Sequence, residues 1–394
     1  MSPRAIIAGA GIAGLTAALA LRGAGFRVAI YERAHALEEF GAGVQLTPNA
    51  TRILARLGVL ERVLRFASTP RALRVLRGSD DAELMRMPLC DAERRWGAAY
   101  LAIHRADLQR ALLEAVRGQP GVEMSLGTPV VDFEDHGRRV SVGLGSGPAQ
   151  DQDDADLLIG ADGLRSLVRD RLGFGAQDEA EFAGRIAYRA LVNVDDGDPH
   201  WRPSDITLRL GGEAHLVQYP LRGGSIVNLV ATIRSASPTG GAGHRADSPD
   251  CPSLPKRAFT RWSKEASWLT DAAIQWRAWP LYCRPPISSF SLGRVALAGD
   301  AAHPMVPFLA QGAAQAIEDA GGLARVFAHV EDIPAALSAY SRDRVGRAAR
   351  VQREALKLGR IYHMTGPLAF ARDVAMRLAG PLGLIERYDW LYGA

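Results

Sequence analysis

Three groups of residues in this 394-residue chain have types and spacings suited to chemistry. Gly9, Gly11 and Gly14 form a GxGxxG pattern between an apolar run at 5 to 8 and a small-residue run at 12 to 22. The next apolar run, FRVAIYER at 26 to 33, ends on Glu32 and Arg33. In such a pattern the first glycine permits a tight turn, the second lets the backbone approach a pyrophosphate at a helix N-terminus, and the third lets helix and strand pack closely. Glu32 can accept a hydrogen bond from a ribose hydroxyl. The plainer alternative is a tightly packed glycine turn. The second group is GDAAHPMVPFLAQGAAQAIEDA at 299 to 320, which sets Asp300 among small residues just ahead of a helix starting near Gln311. The N–H groups of Gly312 and Ala313 have no intrahelical partners there, and the helix dipole favours negative charge. A Gly/Ala packing contact is the alternative. The third is GGEAHLVQYPL at 211 to 221, where alternation places His215, Val217 and Tyr219 on one strand face. An imidazole of ordinary pKa, about 6.5, can take the proton of a phenol, and a tyrosine beside it can orient the ring. A histidine satisfied within the sheet is the alternative.

These residues need two kinds of structure to position them. Residues 5 to 8, 12 to 22 and 26 to 33 read as strand, helix and parallel strand. In LTPNATRILARLGV, Thr47 can cap a helix, Pro48 fits its first position, Ile53, Leu54 and Leu57 share a face, and Gly58 can end it. HRADLQRALLEAVRG repeats the design, with Leu108, Leu112, Ala115 and Val116 on one face and Gly118 behind them. From about 183 to 234 the texture changes to short alternating strands, which predicts an antiparallel sheet. SASPTGGAGHRADSPDCPSLPK, 235 to 256, reads as an exposed loop. From 294 the strand RVALAGD returns to the first texture, and helices follow nearly to the end.

Composition narrows the classes. The 47 Lys and Arg against 43 Asp and Glu leave a charge of +4, and the basic residues are dispersed, so nucleic acid is not an expected partner. Cys90, Cys251 and Cys283 lie far apart with no CxxC, which argues against disulfide or zinc scaffolds and fits a reducing cytoplasm. No metal is expected. AIIAGAGIAGLTAALAL falls short of the roughly 20 residues a bilayer span needs and is interrupted by glycines, so a buried strand and helix explain it better.

With DLLIGADGLRSLVR (156 to 169) and RVALAGDAAHP (294 to 304), the chain resembles the single-component FAD-dependent aromatic hydroxylases, nearest to salicylate hydroxylase and 3-hydroxybenzoate 6-hydroxylase-like members. Their GxGxxG, DG and GD motifs stand here in order. The resemblance extends through GAGVQLTPNA (41 to 50), IHRADL (103 to 108) and YDWLYG (388 to 393). It implies FAD bound by Gly9, Gly11, Gly14, Glu32, Arg33, Val44, Arg105, Val130, Asp162, Asp300, Pro307, Gly312 and Ala313. Glu32 would hold the adenosine ribose, Arg105 the pyrophosphate side and Asp300 the ribityl chain. Asp162 would lie between FAD and incoming NADH or NADPH, which visits transiently because no second GxGxxG stands between a strand and a helix. Gly312 and Ala313 would face the flavin pyrimidine edge, Pro307 would line the ring, and GAGVQL would form a loop beside it in which glycines 41 and 43 let the ring swing. His215 and Tyr219 become the catalytic candidates on the substrate side. His303 is expected to be structural, and Phe308 stands where some relatives carry a polar residue.

The expected fold is α/β: a discontinuous Rossmann-like FAD-binding domain (1 to 72, 98 to 180 and 282 to 394) and a mainly antiparallel β-sheet substrate domain (73 to 97 and 181 to 281). The implied reaction is reduction of FAD by NAD(P)H, formation of a flavin C4a-hydroperoxide with O2, and hydroxylation of an aromatic, phenolic-acid substrate. Two alternatives stay open: a hydroxylase of a quinol precursor or larger aromatic natural product, and a non-oxygenating flavoprotein. A cytoplasmic enzyme without stable membrane insertion is expected. The oligomeric state is left open, a homodimer included.

Overall fold

The computed structural model describes residues 2–37, 42–145, 151–174, 179–194, 203–238, 253–273 and 275–393. A six-stranded sheet runs in the order Ser291–Leu292, Val295–Leu297, Leu157–Gly160, Arg4–Ala8, Arg27–Glu32, Val122–Leu126. Every pairing is parallel except that of the edge strand Ser291–Leu292. Parallel strands covered on both faces need continuous apolar runs, and the central ones have them: Ala5, Ile6 and Ile7, like Leu157, Leu158 and Ile159, are completely buried. Helix Ile12–Gly23 leaves the first strand through the glycine turn and packs against helix Gly312–Phe327. Gly9 has φ +103°, and a Cβ on Gly14 would lie 1.9 Å from the Gly9 carbonyl oxygen, so both positions require glycine.

The seven-stranded sheet has the order Arg277–Cys283, Glu181–Asn193, Ile226–Arg234, Ala214–Leu221, Ile206–Leu210, Ala72–Arg77, Glu83–Pro88. Its pairings are antiparallel except for Ile206–Leu210 against Ala72–Arg77. Strand Ala214–Leu221 is central, and both its faces are covered: all its residues but Val217 are buried. Leu216 packs with Leu229, Phe259 and Leu269 on one side. Tyr219 joins a cluster with Leu208, Tyr362 and Tyr392 on the other.

Two expectations about local structure change. Thr47 occupies the N-cap position of helix Pro48–Arg56, but its hydroxyl makes no capping bond. It donates to Asn49 Oδ1 (2.6 Å) and accepts from Gln311 Nε2 (3.0 Å) instead, because a buried polar network claims it. The loop expected over 235 to 256 ends at helix Ser253–Phe259; its residues 239–252, Cys251 among them, lie outside the described residues, as does Gly41.

The network at Thr47 fixes helix Gly312–Phe327 against its surroundings. Asn49 Nδ2 donates to Glu318 Oε1 (2.5 Å). Arg344, on helix Ile333–Tyr362, donates to Glu318 Oε2 (2.5 Å) and Asp319 Oδ1 (2.8 Å). Burial pushes both carboxyls up, but Arg347 and Arg344 around Glu318, and His303 and Arg344 around Asp319, outweigh it and hold both below their ordinary values. The last helix, Gly366–Tyr392, breaks at Gly380 (φ +60°) and lies against strand Glu83–Pro88. It exposes Leu368, Phe370 and Leu378, yet no helix among the described residues is long and apolar enough to cross a membrane.

Candidate active site

A cavity of about 320 Å3 lies where the two sheets meet. Gly11, Ile12 and Ala13 enter it at the start of helix Ile12–Gly23, and Gly312 and Ala313 at the start of helix Gly312–Phe327. Neither helix start has a side-chain cap, so both present backbone N–H groups without a capping oxygen. Gly43, Val44, Gln45, Arg105, Asp300 and Pro307 complete this side. The seven-stranded sheet contributes Arg189, His215, Val217, Tyr219 and Thr232. The sequence GVQL at 43 to 46 is a strand paired with Leu101–His104, not the loop expected there.

The GD turn shows why its residues are small. Gly299 has φ +62°, and a Cβ on it would stand 2.6 Å from the Ala13 Cβ. Its N–H donates to Asp319 Oδ2 (2.8 Å), which also pairs with His303 Nε2 (2.7 Å). The turn is therefore pinned from behind, leaving Asp300 exposed on the cavity wall. His303 stands within this scaffold, away from the cavity lining.

The DG turn is held differently. Asp162 accepts from Ser166 Oγ (2.5 Å) and Val168 N (3.2 Å), while Ser166 accepts from Arg169 N (2.9 Å). Burial pushes the Asp162 carboxyl up against these hydrogen bonds. Ala161 and Gly163 line the cavity, but the Asp162 carboxylate belongs to its own turn. Arg169, which sequence reasoning missed, donates to the carbonyls of Ala301 (3.1 Å) and Ala302 (3.0 Å) and so ties the DG and GD turns together. The signal available in the sequence was its place at the end of DLLIGADGLRSLVR, seven residues beyond Asp162; its burial is visible only in the structure.

Glu32 accepts from Ala10 N (2.8 Å) and Ala34 N (2.8 Å), bracing the glycine turn. Arg33 is exposed, and Val130 is half-buried at the start of strand Val130–Asp135. These three do not line the cavity.

On the sheet side, His215 is buried between the two cavities, 3% exposed. Its Nδ1 lies 2.9 Å from Nε2 of His363, whose Nδ1 lies 2.6 Å from the Gly359 carbonyl oxygen. The rings of Phe308 and Tyr362 meet it edge-on at 5.4 and 5.6 Å. Burial, His363 and Arg185 hold the His215 imidazole well below its ordinary pKa, so the ring is neutral at pH 7. Tyr219 packs on Gly43, where a Cβ would sit 2.4 Å from its ring; burial raises its hydroxyl pKa against the opposing effect of Arg189. A second, largely apolar cavity of about 580 Å3 lies beyond. Gln45, His215, Val217, Pro307 and Ala310 line both and form their partition. Gln45, which accepts from Tyr100 Oη at 2.7 Å, lies within the GAGVQL stretch but was not singled out there, whereas His363 belongs to no motif that sequence reading could use.

The donor set fits FAD. Gly9 and Gly14 are required by protein contacts, whereas a Cβ on Gly11 would meet nothing within 4 Å, so its backbone is open on the cavity side. The Thr232 hydroxyl is buried at the cavity with no protein partner among the described residues. Two uncapped helix starts and an exposed carboxylate around one cavity, walled on its other side by the seven-stranded sheet, suit a flavin dinucleotide, and the comparisons give the class. The chain belongs to the FAD binding domain family, whose model matches residues 3–355. It is 36% identical over 391 residues to 3-hydroxybenzoate 6-hydroxylase 1 of Aquipseudomonas alcaligenes, covering 98% of this chain and 97% of that one. It is likewise 36% identical over 401 residues to a 3-amino-4-hydroxybenzoate 2-monooxygenase of Streptomyces platensis, covering 99% and 96%. Among solved structures it superimposes on Klebsiella pneumoniae HpxO, complexed with FAD and uric acid, with TM-score 0.86 and 27% identity over 98% of this chain and 95% of that one. A salicylate hydroxylase substrate complex gives 0.81 and 26% over 100% and 96%. The protein is a flavin-dependent aromatic monooxygenase with FAD as its cofactor.

Proposed function

We propose that this enzyme hydroxylates a phenolic acid of the hydroxybenzoate kind, with NADH or NADPH as transient co-substrate and O2 as oxidant. One observation carries the reading: His215 lines the same cavity as Gly11, Asp300 and Gly312, so a base and the cofactor donors face one space. Bound FAD supplies the two-electron chemistry that links NAD(P)H oxidation to O2. The chain's own part is holding and proton handling. The helix start at Gly11 receives the pyrophosphate, with Arg105 adding charge, and Asp300 bonds the ribityl hydroxyls. Glu32 keeps the turn in shape and offers its remaining lone pairs to the adenosine ribose, with Arg33 and Val130 at the adenosine end. Val44 and Pro307 would flank its ring system, and the N–H groups of Gly312 and Ala313 would hold the pyrimidine edge. Asp162 acts through its turn, which shapes the wall that NAD(P)H approaches.

His215, neutral at pH 7, takes the phenol proton and makes the ring electron-rich. Tyr219 orients the ring, and Arg189, on the same wall, meets a substrate carboxylate. Val217, Pro307 and Ala310 supply the apolar part of the partition and help to keep water from the reacting atoms. Hydroxybenzoates tested one by one for stimulated NADH oxidation, with product masses recorded, should reveal a substrate that gains one oxygen atom. On that substrate His215→Ala should keep its FAD, lose roughly 10²- to 10⁴-fold in hydroxylation, and divert NADH oxidation to H2O2. Wild-type product per NADH in the variant would refute the role. The apolar cavity of about 580 Å3 favours a second reading, a larger aromatic natural product; stimulation by such compounds and by none of the hydroxybenzoates would select it.

A further inference from the structure

His215 is the first of two imidazoles in series, and the second decides what the first can do. A backbone carbonyl only accepts hydrogen bonds, so the 2.6 Å contact with the Gly359 oxygen places a proton on His363 Nδ1. Burial, and next Arg185, hold the His363 pKa down at about 4, with Arg372 acting in the same direction against the hydrogen bond to Gly359. The ring is therefore neutral at pH 7, and its Nε2 carries a lone pair. That lone pair faces His215 Nδ1 at 2.9 Å, so His215 Nδ1 must be the donor. The lone pair of neutral His215 is then on Nε2; the hydrogen bond that His215 makes to another described residue is the one from Nδ1 to His363.

We propose that His363 is a positioning residue for hydroxylation, fixing His215 in the tautomer whose Nε2 can accept the phenol proton. The inference rests on the reading of His215 as the base. The opposite tautomer, with hydrogen on Nε2, could donate to a phenol oxygen but could not take its proton. In the step supported here, the phenol O–H bond breaks, its proton joins His215 Nε2, and phenolate and imidazolium result. The His215 Nδ1–H keeps donating to His363 Nε2 throughout. His363 orients and does not relay, because its own Nδ1–H ends on a carbonyl that takes no proton. The packing keeps the pair in register: His363 follows directly on helix Ile333–Tyr362, Gly359 belongs to that helix, and Phe308 lies so close to Gly359 that a Cβ there would stand 2.6 Å from its ring.

The test reads the tautomer directly, by 15N NMR of the full-length protein labelled at histidine, with the two rings assigned from His215→Gln and His363→Leu. In the wild type both His215 and His363 should show a protonated Nδ1 and an unprotonated Nε2. In His363→Leu the His215 proton should move to Nε2. In His363→Gln, whose amide oxygen can accept from His215 Nδ1, it should stay. Steady-state assays should then show His363→Leu with unchanged FAD affinity, roughly 10- to 100-fold less hydroxylation, as expected for a lost hydrogen bond to the imidazolium formed on His215, and more H2O2 per NADH, and His363→Gln largely restored. A merely structural role would not follow the tautomer in this way. Wild-type His215 protonated on Nε2 would overturn the inference even if His215→Ala were inactive, leaving the base reading in place. An Nδ1–H spectrum with fully active His215→Ala would overturn the base reading, and the positioning role with it. If His363→Leu does not fold, His363→Gln decides alone: His215 moving to Nε2–H with activity unchanged refutes the proposal.

Discussion

Arg344→Met tests whether the buried charges behind the GD turn hold the cofactor wall in place. Arg344 is 3% exposed and makes four hydrogen bonds: to Asp319 Oδ1 at 2.8 Å, Glu318 Oε2 at 2.5 Å, the Gln315 carbonyl at 3.2 Å and Gln315 Oε1 at 2.9 Å. Methionine matches its stem and supplies no donor. Glu318 would keep Arg347, at 2.5 and 2.7 Å, so the loss falls mainly on Asp319, left with His303 and Gly299 N. Removing one partner of a buried ion pair typically costs about 3–5 kcal/mol, a large fraction of the roughly 5–15 kcal/mol that holds a protein folded. With urea slopes of about 1–3 kcal/mol per molar, the midpoint should fall by roughly 1 M or more. The effect has a pH signature. Carboxyls depressed in the folded state contribute stability that is present above their unfolded pKa, about 4, and lost as pH falls through the folded value. The variant's deficit should therefore be greatest near pH 7 and shrink below pH 4. Urea titrations of the apoprotein at pH 7 and pH 3.5, read by tryptophan fluorescence and circular dichroism, measure both. A deficit under about 1 kcal/mol at pH 7, or one equal at the two pH values, would refute the reasoning.

Asp300→Ala should weaken FAD binding by roughly ten- to a hundredfold, the contribution of about 1.5–3 kcal/mol expected of charge-assisted bonds to the ribityl hydroxyls, while His215→Ala leaves it unchanged; flavin fluorescence titrations that give equal losses would contradict the assignment. Gly14→Ala should yield protein without flavin, because its Cβ would lie 1.9 Å from the Gly9 oxygen and the helix start must shift; wild-type FAD content would show that the turn tolerates the move. The depressed pKa of His363, about 4 against 6.5, gives stability that is full above pH 6.5 and is lost as pH falls toward 4, by roughly 3 kcal/mol at 1.4 kcal/mol per unit. Denaturant midpoints between pH 7 and 4 should therefore flatten in His363→Gln, and an unchanged slope would exclude the shift.

Local rules made much of this fold readable. The GxGxxG strand-turn-helix is written within a few residues, because Gly9 and Gly14 answer to neighbouring backbone. Alternation made the strands of the seven-stranded sheet visible and put His215 and Tyr219 on one face. What stayed hidden depends on distance along the chain. His215 and His363 meet across 148 positions and Arg169 meets Ala301 across 132, with no periodicity to announce either contact. The parallel pairing of Ile206–Leu210 with Ala72–Arg77 likewise needs a long connection that neither strand encodes. Thr47 failed as a cap for a related reason: Gln311, 264 residues on, competes for its hydroxyl. The 43 to 46 segment looked like a loop because glycines 41 and 43 suggest freedom, whereas Gly43 is small to admit the Tyr219 ring.

The scatter of the proposed cofactor wall along the chain has a consequence for biosynthesis. Glycines near the amino end and the helix at 312 to 327 share one cavity, and Asn49 bonds Glu318 across 269 residues. A ribosome delivers about 5–20 residues per second, so roughly 15 seconds or more separate emergence of the nucleotide turn from that of the helix that completes its pocket. Nascent chains stalled before 312 would therefore fail to retain flavin, and riboflavin starvation would act on finished polypeptides rather than on growing ones.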